Sequence, residues 1–86
     1  MRRSKEEMIM DILKIALDPT RPTNLMYKVN MSWKPMMEYL SKLTSAGLIE
    51  LKIIDERRFY LTTELGVRFL KMGEQMEWGR SLIREL

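Results

Sequence analysis

The 86-residue chain has no cysteine and no histidine, and each absence removes a class of chemistry. Without cysteine there is neither a disulfide framework nor a thiolate metal site, and the cytoplasm, a reducing compartment, is the expected setting. Without histidine, a histidine general base, a triad built on one and the usual zinc sites are all missing. Long hydrophobic runs are missing too. Nowhere do about 18 apolar residues follow one another, and the start Met1-Arg2-Arg3-Ser4 leads into charged residues rather than an apolar export signal. Neither membrane insertion nor export is expected. The carboxylate pairs Glu6-Glu7 and Asp55-Glu56 fall in a charged helix start and a charged turn, where a solvated surface is the simpler reading. No catalytic residue, metal ligand or cofactor is therefore assigned, and an enzyme is not expected.

What is present suits one small globular domain, with 45% apolar residues to build a core and 31% charged residues to solvate its surface. Ser4-Lys5-Glu6-Glu7 has the form of a capping box, and Met8, Ile9, Ile12, Leu13, Ala16 and Leu17 recur at helical spacing. This predicts a helix over 4–17, closed by Asp18-Pro19. Thr23 is placed to cap a brief second helix over 23–29, with Leu25, Met26 and Val29 apolar. Asn30 tolerates the left-handed conformation that leaves a helix sharply, Met31 offers an apolar plug, and Ser32 caps the next helix. In that third helix Pro35 sits in the first turn, Met36, Leu40 and Leu43 form a stripe, and Gly47 supplies the stop.

Two runs rich in branched and aromatic residues follow, Leu48 to Ile54 and Arg58 to Leu61, separated by Asp55-Glu56-Arg57, and they read as a hairpin. Thr62 is placed to cap a last helix reaching towards Leu86, with Leu65, Phe69, Met72, Met76, Gly79, Ile83 and Leu86 at heptad spacing. Gly73 is a possible break in it. The fold class expected is mainly α with a small β-hairpin, a core over 1–62 completed by a long C-terminal helix over 63–86. The methionines Met8, Met26, Met36, Met72 and Met76 fall on apolar stripes, which favours gap-filling core over an adaptable binding surface.

Several stretches together resemble the small archaeal winged helix-turn-helix proteins, a group that includes transcriptional regulators and basic chromosomal proteins. They are Ser4 to Leu13, Leu25-Met26-Tyr27-Lys28-Val29-Asn30-Met31-Ser32, Tyr39-Leu40 with Leu43, Gly47-Leu48-Ile49, and Tyr60-Leu61-Thr62 with Gly66. The resemblance covers nearly the whole chain. It implies that the residues after Asn30-Met31-Ser32 begin a recognition helix, that the charged hairpin is a wing, and that the C-terminal helix pairs two copies.

Charge supports the same reading independently. Residues 19–45 hold Arg21, Lys28, Lys34 and Lys42 against Glu38 alone, which accounts for the entire net charge of +3, while the segments on either side balance. Double-stranded DNA is the expected partner and transcriptional regulation the expected role. The candidate contacts are Arg21, Thr23 and Lys28 before the turn, Ser32, Trp33, Lys34, Met37, Glu38, Ser41 and Lys42 on the third helix, and Arg57 and Arg58 in the hairpin. Lysine and serine suit phosphate and base edges, Glu38 suits a cytosine amino group, and Met37 suits a thymine methyl. Trp33 is divided between packing at the helix start and stacking on the backbone. Two other readings stand beside this one: a protein-interaction module, and a chromosomal protein that coats DNA with little sequence preference.

A homodimer through Phe69, Met72, Met76, Gly79, Ile83 and Leu86 is expected, because a lone helix carrying that stripe is marginal in water. Light scattering at about 100 µM should report a dimer, since association is set by concentration. The double change Met76→Lys with Ile83→Lys should give a folded monomer, and a monomeric wild type refutes the seam.

Overall fold

A computed structural model of the chain describes residues 4–75, folded in the order α1 (Lys5–Ile15), α2 (Pro22–Val29), α3 (Trp33–Ser45), β1 (Ile49–Ile54), β2 (Arg57–Thr62) and α4 (Glu64–Gln75). Met76, Gly79, Ile83 and Leu86 of the expected seam lie outside the described residues, as does the far part of the helix expected to reach Leu86.

Ser4 starts α1 from just outside it. Its hydroxyl accepts from the Glu7 amide at 3.1 Å and donates to the Glu7 carboxylate at 3.3 Å, which satisfies one of the amides that every helix start leaves open. Threonine 23 does not cap α2 as expected. Arg21 holds the cap position without a side-chain hydrogen bond and Pro22 is the first helical residue, where proline's fixed φ and missing amide fit at no cost. Ser32 does stand at the cap position of α3, but its side chain makes no capping bond.

Helices α2 and α3 end in the same way. After α2, Asn30 is left-handed at φ 58°, the Met31 amide donates to the Met26 carbonyl at 3.0 Å and the Asn30 amide to Tyr27 at 3.3 Å. After α3, Gly47 is left-handed at φ 77°, with Leu48 donating to the Leu43 carbonyl and Gly47 to Thr44, both at 3.0 Å. In each case the paired bonds satisfy carbonyls that a helix end exposes and turn the chain back towards the core. Met31 is thereby half-buried and Leu48 buried.

The core is a continuous cluster of Ile9, Ile12, Leu13 and Ala16 from α1, Leu25 and Val29 from α2, and Met36, Leu40 and Leu43 from α3, closed by Leu48, Ile49, Tyr60 and Leu70. The methionines divide: Met36 is fully buried, whereas Met26 is only partly so. β1 and β2 pair antiparallel from Ile49 opposite Thr62 to Ile54 opposite Arg57, so the turn between them has two residues, Asp55 and Glu56, one fewer than the sequence suggested. Both are left-handed, at φ 51° and 64°, the geometry that matches the natural twist of a hairpin but normally selects asparagine and glycine.

Two expectations for the last helix change. Thr63 caps it, its hydroxyl accepting from the Gly66 amide at 3.0 Å, while Thr62 remains in β2. The helix also runs unbroken through Gly73 to Gln75. The face it turns inward is one position away from the expected seam. Leu70 and Gly66 are buried, Phe69 packs partly against the core, and Leu65 is 52% exposed. The reason is close backbone approach: a Cβ on Gly66 collides with the Leu48 carbonyl, and one on Gly73 comes within 2.8 Å of the Met10 methyl.

Gly66→Ala should therefore destabilise the domain by about 1–3 kcal/mol through overpacking, because backbone on the other side cannot yield. Glu56→Gly should stabilise it by about 1 kcal/mol by removing a left-handed side chain from the turn. Thermal denaturation followed by circular dichroism checks both: a change of about 1 kcal/mol moves Tm by roughly 4–8 °C in a domain of this size.

Candidate nucleic-acid interface

The burial of Met36, Leu40 and Leu43 decides which way the rest of α3 faces. Residues four apart line up in rows on a helix surface. One row holds Trp33, Met37 and Ser41, the next Lys34, Glu38 and Lys42, and together these six line a shallow depression on the outer face of α3. The rows have different neighbours. Met37 and Ser41 also line the groove between α3 and the hairpin, with Thr44, Ser45, Leu51 and Tyr60. Glu38 and Lys42 border Tyr39 and, across from them, Lys5 of α1. A neutral row thus lies beside the hairpin and a charged row lies away from it.

Pairing in the hairpin sorts its side chains in the same way. Leu51 opposes Tyr60 and Ile53 opposes Arg58, and alternation along each strand puts these four on the face towards α3. Phe59 and Arg57 take the other face. The Arg21 guanidinium lies 5.6 Å from the centre of the Phe59 ring, a cation–π contact on that far side, and its Nε is buried without a hydrogen-bond partner. Of the basic candidates, Lys34 and Lys42 therefore lie on the outer face of α3 and Arg58 on the α3 side of the hairpin, while Arg21 and Arg57 belong to the back of the hairpin.

Exposure sorts the remaining candidates. Trp33 is 48% exposed, so half of the indole is available to a partner. Thr23, Lys28 and Ser32 are exposed on α2 and the turn. Tyr27, which the sequence reading did not single out, is 88% exposed and lines a cleft at the helix-helix turn with Met26, Asn30, Met31 and Ser32. The signal for it was available: the stripe of Leu25, Met26 and Val29 leaves Tyr27 and Lys28 on the outer side of α2. Leu51 and Ile53 of β1, 41% and 62% exposed, likewise stand outside the contacts expected from the sequence.

Among the described residues, no group of three or more acidic, histidine or cysteine side chains is arranged to hold a metal ion, and no helix is long and apolar enough to cross a membrane.

Similar folds occur in proteins of different kinds. Sso10a-2, a DNA-binding protein from Sulfolobus solfataricus, aligns over 96% of this chain and 95% of its own at 23% identity and a TM-score of 0.70. ZitR of Lactococcus lactis, a zinc-responsive MarR family member, aligns over 99% of this chain and 60% of its own at 19% identity and a TM-score of 0.63. Human N-acetylserotonin methyltransferase, solved with SAM, aligns over 85% of this chain but only 25% of its own, at 20% identity and a TM-score of 0.61. At these identities the likeness concerns the fold alone. No curated protein sequence matches the chain. The family model for the winged helix-turn-helix matches residues 2–79, nearly the whole length, and with the helix-turn-helix of α2 and α3 and the β1–β2 wing in place, the chain belongs to the winged helix-turn-helix family.

Proposed function

We propose that this protein binds double-stranded DNA with α3 in the major groove and the hairpin alongside as a wing, and that it serves as a transcriptional regulator. The observation that carries the reading is the outer face of α3, an exposed surface set between two lysines and bordered by the wing groove. A major groove about 12 Å wide admits a helix of this kind, and the phosphates on either side favour Lys34, Lys42 and Arg58. Lys28 and Tyr27 on α2 suit the neighbouring backbone. Sso10a-2, described as a DNA-binding protein, supports the same assignment. Pairing of two copies through Phe69, Met72 and the later seam residues belongs to this proposal, since a two-fold dimer sets two recognition helices about one helical turn apart on one side of the duplex.

A protein-binding role is favoured by a single observation, the exposed Leu51, Ile53 and Ile54 of β1. It predicts weak dependence on salt and none on DNA.

Fluorescence anisotropy with a labelled random duplex separates the two. DNA binding should be detectable at micromolar protein and about 50 mM salt, and should weaken with a log–log slope of roughly −3 per chain when three or four phosphates are neutralised. Lys34→Ala and Lys42→Ala should each reduce that slope by about one unit without lowering Tm, whereas Leu40→Ala, which empties part of the core, should cost about 2–5 kcal/mol of stability. Absence of any shift at low salt rejects the DNA reading.

A further inference from the structure

Glu38 is the only acidic residue between positions 19 and 45. It lies two residues from Met36 and two from Leu40, so at about 100° per residue it stands about 200° round the helix from each, opposite the buried stripe. Lys34 and Lys42 are one turn before and one turn after it, all three are exposed, and Glu38 forms no ion pair with either lysine. The carboxylate is therefore at the middle of the outermost line of α3, with its charge not taken up by the flanking lysines.

On a surface that only gripped phosphate, this group would subtract from binding, because like charges repel. The floor of the major groove is different. Cytosine presents its N4 amino group as a donor with no acceptor on the same base edge. Guanine presents O6 and N7, thymine presents O4, and adenine places the N7 acceptor next to its N6 amino group. A carboxylate thus meets an unopposed donor over cytosine and at least one repelling acceptor over each other base.

We infer that Glu38, held between two phosphate-binding lysines at the crest of α3, makes this protein selective for a cytosine at one position of its DNA site. The inference rests on the DNA-binding reading and names the base the surface selects. Selection works in both directions: cytosine satisfies the carboxylate, and every other base leaves it desolvated against an acceptor, which penalises the wrong duplex. Lys34 and Lys42 offset the repulsion from the backbone on either side. Met37 and Ser41, in the row next to the wing, take the adjacent base pairs.

The test is selection from a randomised duplex library with wild type and Glu38→Gln, followed by anisotropy on the selected site, on the same site with that cytosine replaced by thymine, and on random duplex. Glutamine keeps the length of the side chain but adds a donor, which suits the N7 and N6 of adenine. Wild type should select cytosine at one position and lose roughly five- to 100-fold in affinity when it becomes thymine. Glu38→Gln should select adenine there, bind random duplex more tightly than wild type and melt at the same temperature. Identical selected sites for the two proteins, or no cytosine position in the wild-type site, overturns the assignment of Glu38 while leaving DNA binding intact. Failure of wild type to bind any duplex overturns both.

Discussion

The threonine at the end of the wing holds the two halves of the domain together. Thr62 donates its hydroxyl to the Leu13 carbonyl at 2.8 Å and its amide to the Ala16 carbonyl at 2.7 Å, both at the C-terminal end of α1 and nearly fifty residues away in sequence. Carbonyls in a last helical turn have no partner within their own helix, and Leu13 and Ala16 are fully buried, so protein rather than water must serve theirs. Thr20 completes the arrangement: its hydroxyl proton is shared between the backbone carbonyls of Asp18 at 2.7 Å and Ile15 at 3.2 Å, and its backbone pairs with Tyr60 like a short third strand. The end of α1 and the base of the wing are thus one hydrogen-bonded unit, and the angle of the wing follows from it.

A second anchor fixes α4 and α3 to the same unit. Thr63 donates its hydroxyl to the Gly47 carbonyl at 2.6 Å and its amide to the Leu48 carbonyl at 3.0 Å, directly after α3 has ended. Its hydroxyl also caps α4, and Gly66 three residues on lies against the Leu48 backbone. The exit of α3, the root of the wing and the start of α4 meet at this point. The groove between α3 and the hairpin, lined by Met37, Ser41, Thr44, Ser45, Leu51 and Tyr60, lies beside this junction, where α3 ends at Ser45 and β1 begins at Ile49. The tip of the wing, by contrast, carries two left-handed residues and exposed side chains, and nothing in the core depends on it.

Charge is distributed to match. The segment carrying the net +3 contributes its burial through Leu25, Val29, Met36, Leu40 and Leu43 and places its lysines on the outside. Arg21 is the exception: it lies over Phe59 and links the start of α2 to the back of the wing, so a residue counted with the basic surface is spent on packing. In the proposed complex the cations left for the partner are Lys28, Lys34, Lys42 and Arg58, without Arg21 and Arg57 at the back of the hairpin.

The sequence by itself determined the order and kind of the elements, because the signals for these act within one or two turns: the Ser4 cap, the stripe of Met36, Leu40 and Leu43, the left-handed Asn30 and Gly47. The same local signals were enough to place Lys34, Glu38, Ser41 and Lys42 on the outside, with Met37 half-buried at the edge, since the side of a helix opposite its buried stripe is fixed once the stripe is known. Tertiary structure decided whatever depends on two distant segments coming together. Gly73 reads as a helix break in the chain and Gly66 only as part of the family resemblance, yet both lie where α4 closely approaches the rest of the molecule, with Gly66 and Leu70 turned inward and Leu65 outside. Thr62 and Thr63 are equally good caps by residue type, and only the unpaired carbonyls of α1 assign one to the wing and the other to the helix. The separation of Arg58 from Arg57, and of the neutral row of α3 from the charged one, likewise followed from strand register and from which neighbour each row meets, neither of which adjacent residues encode.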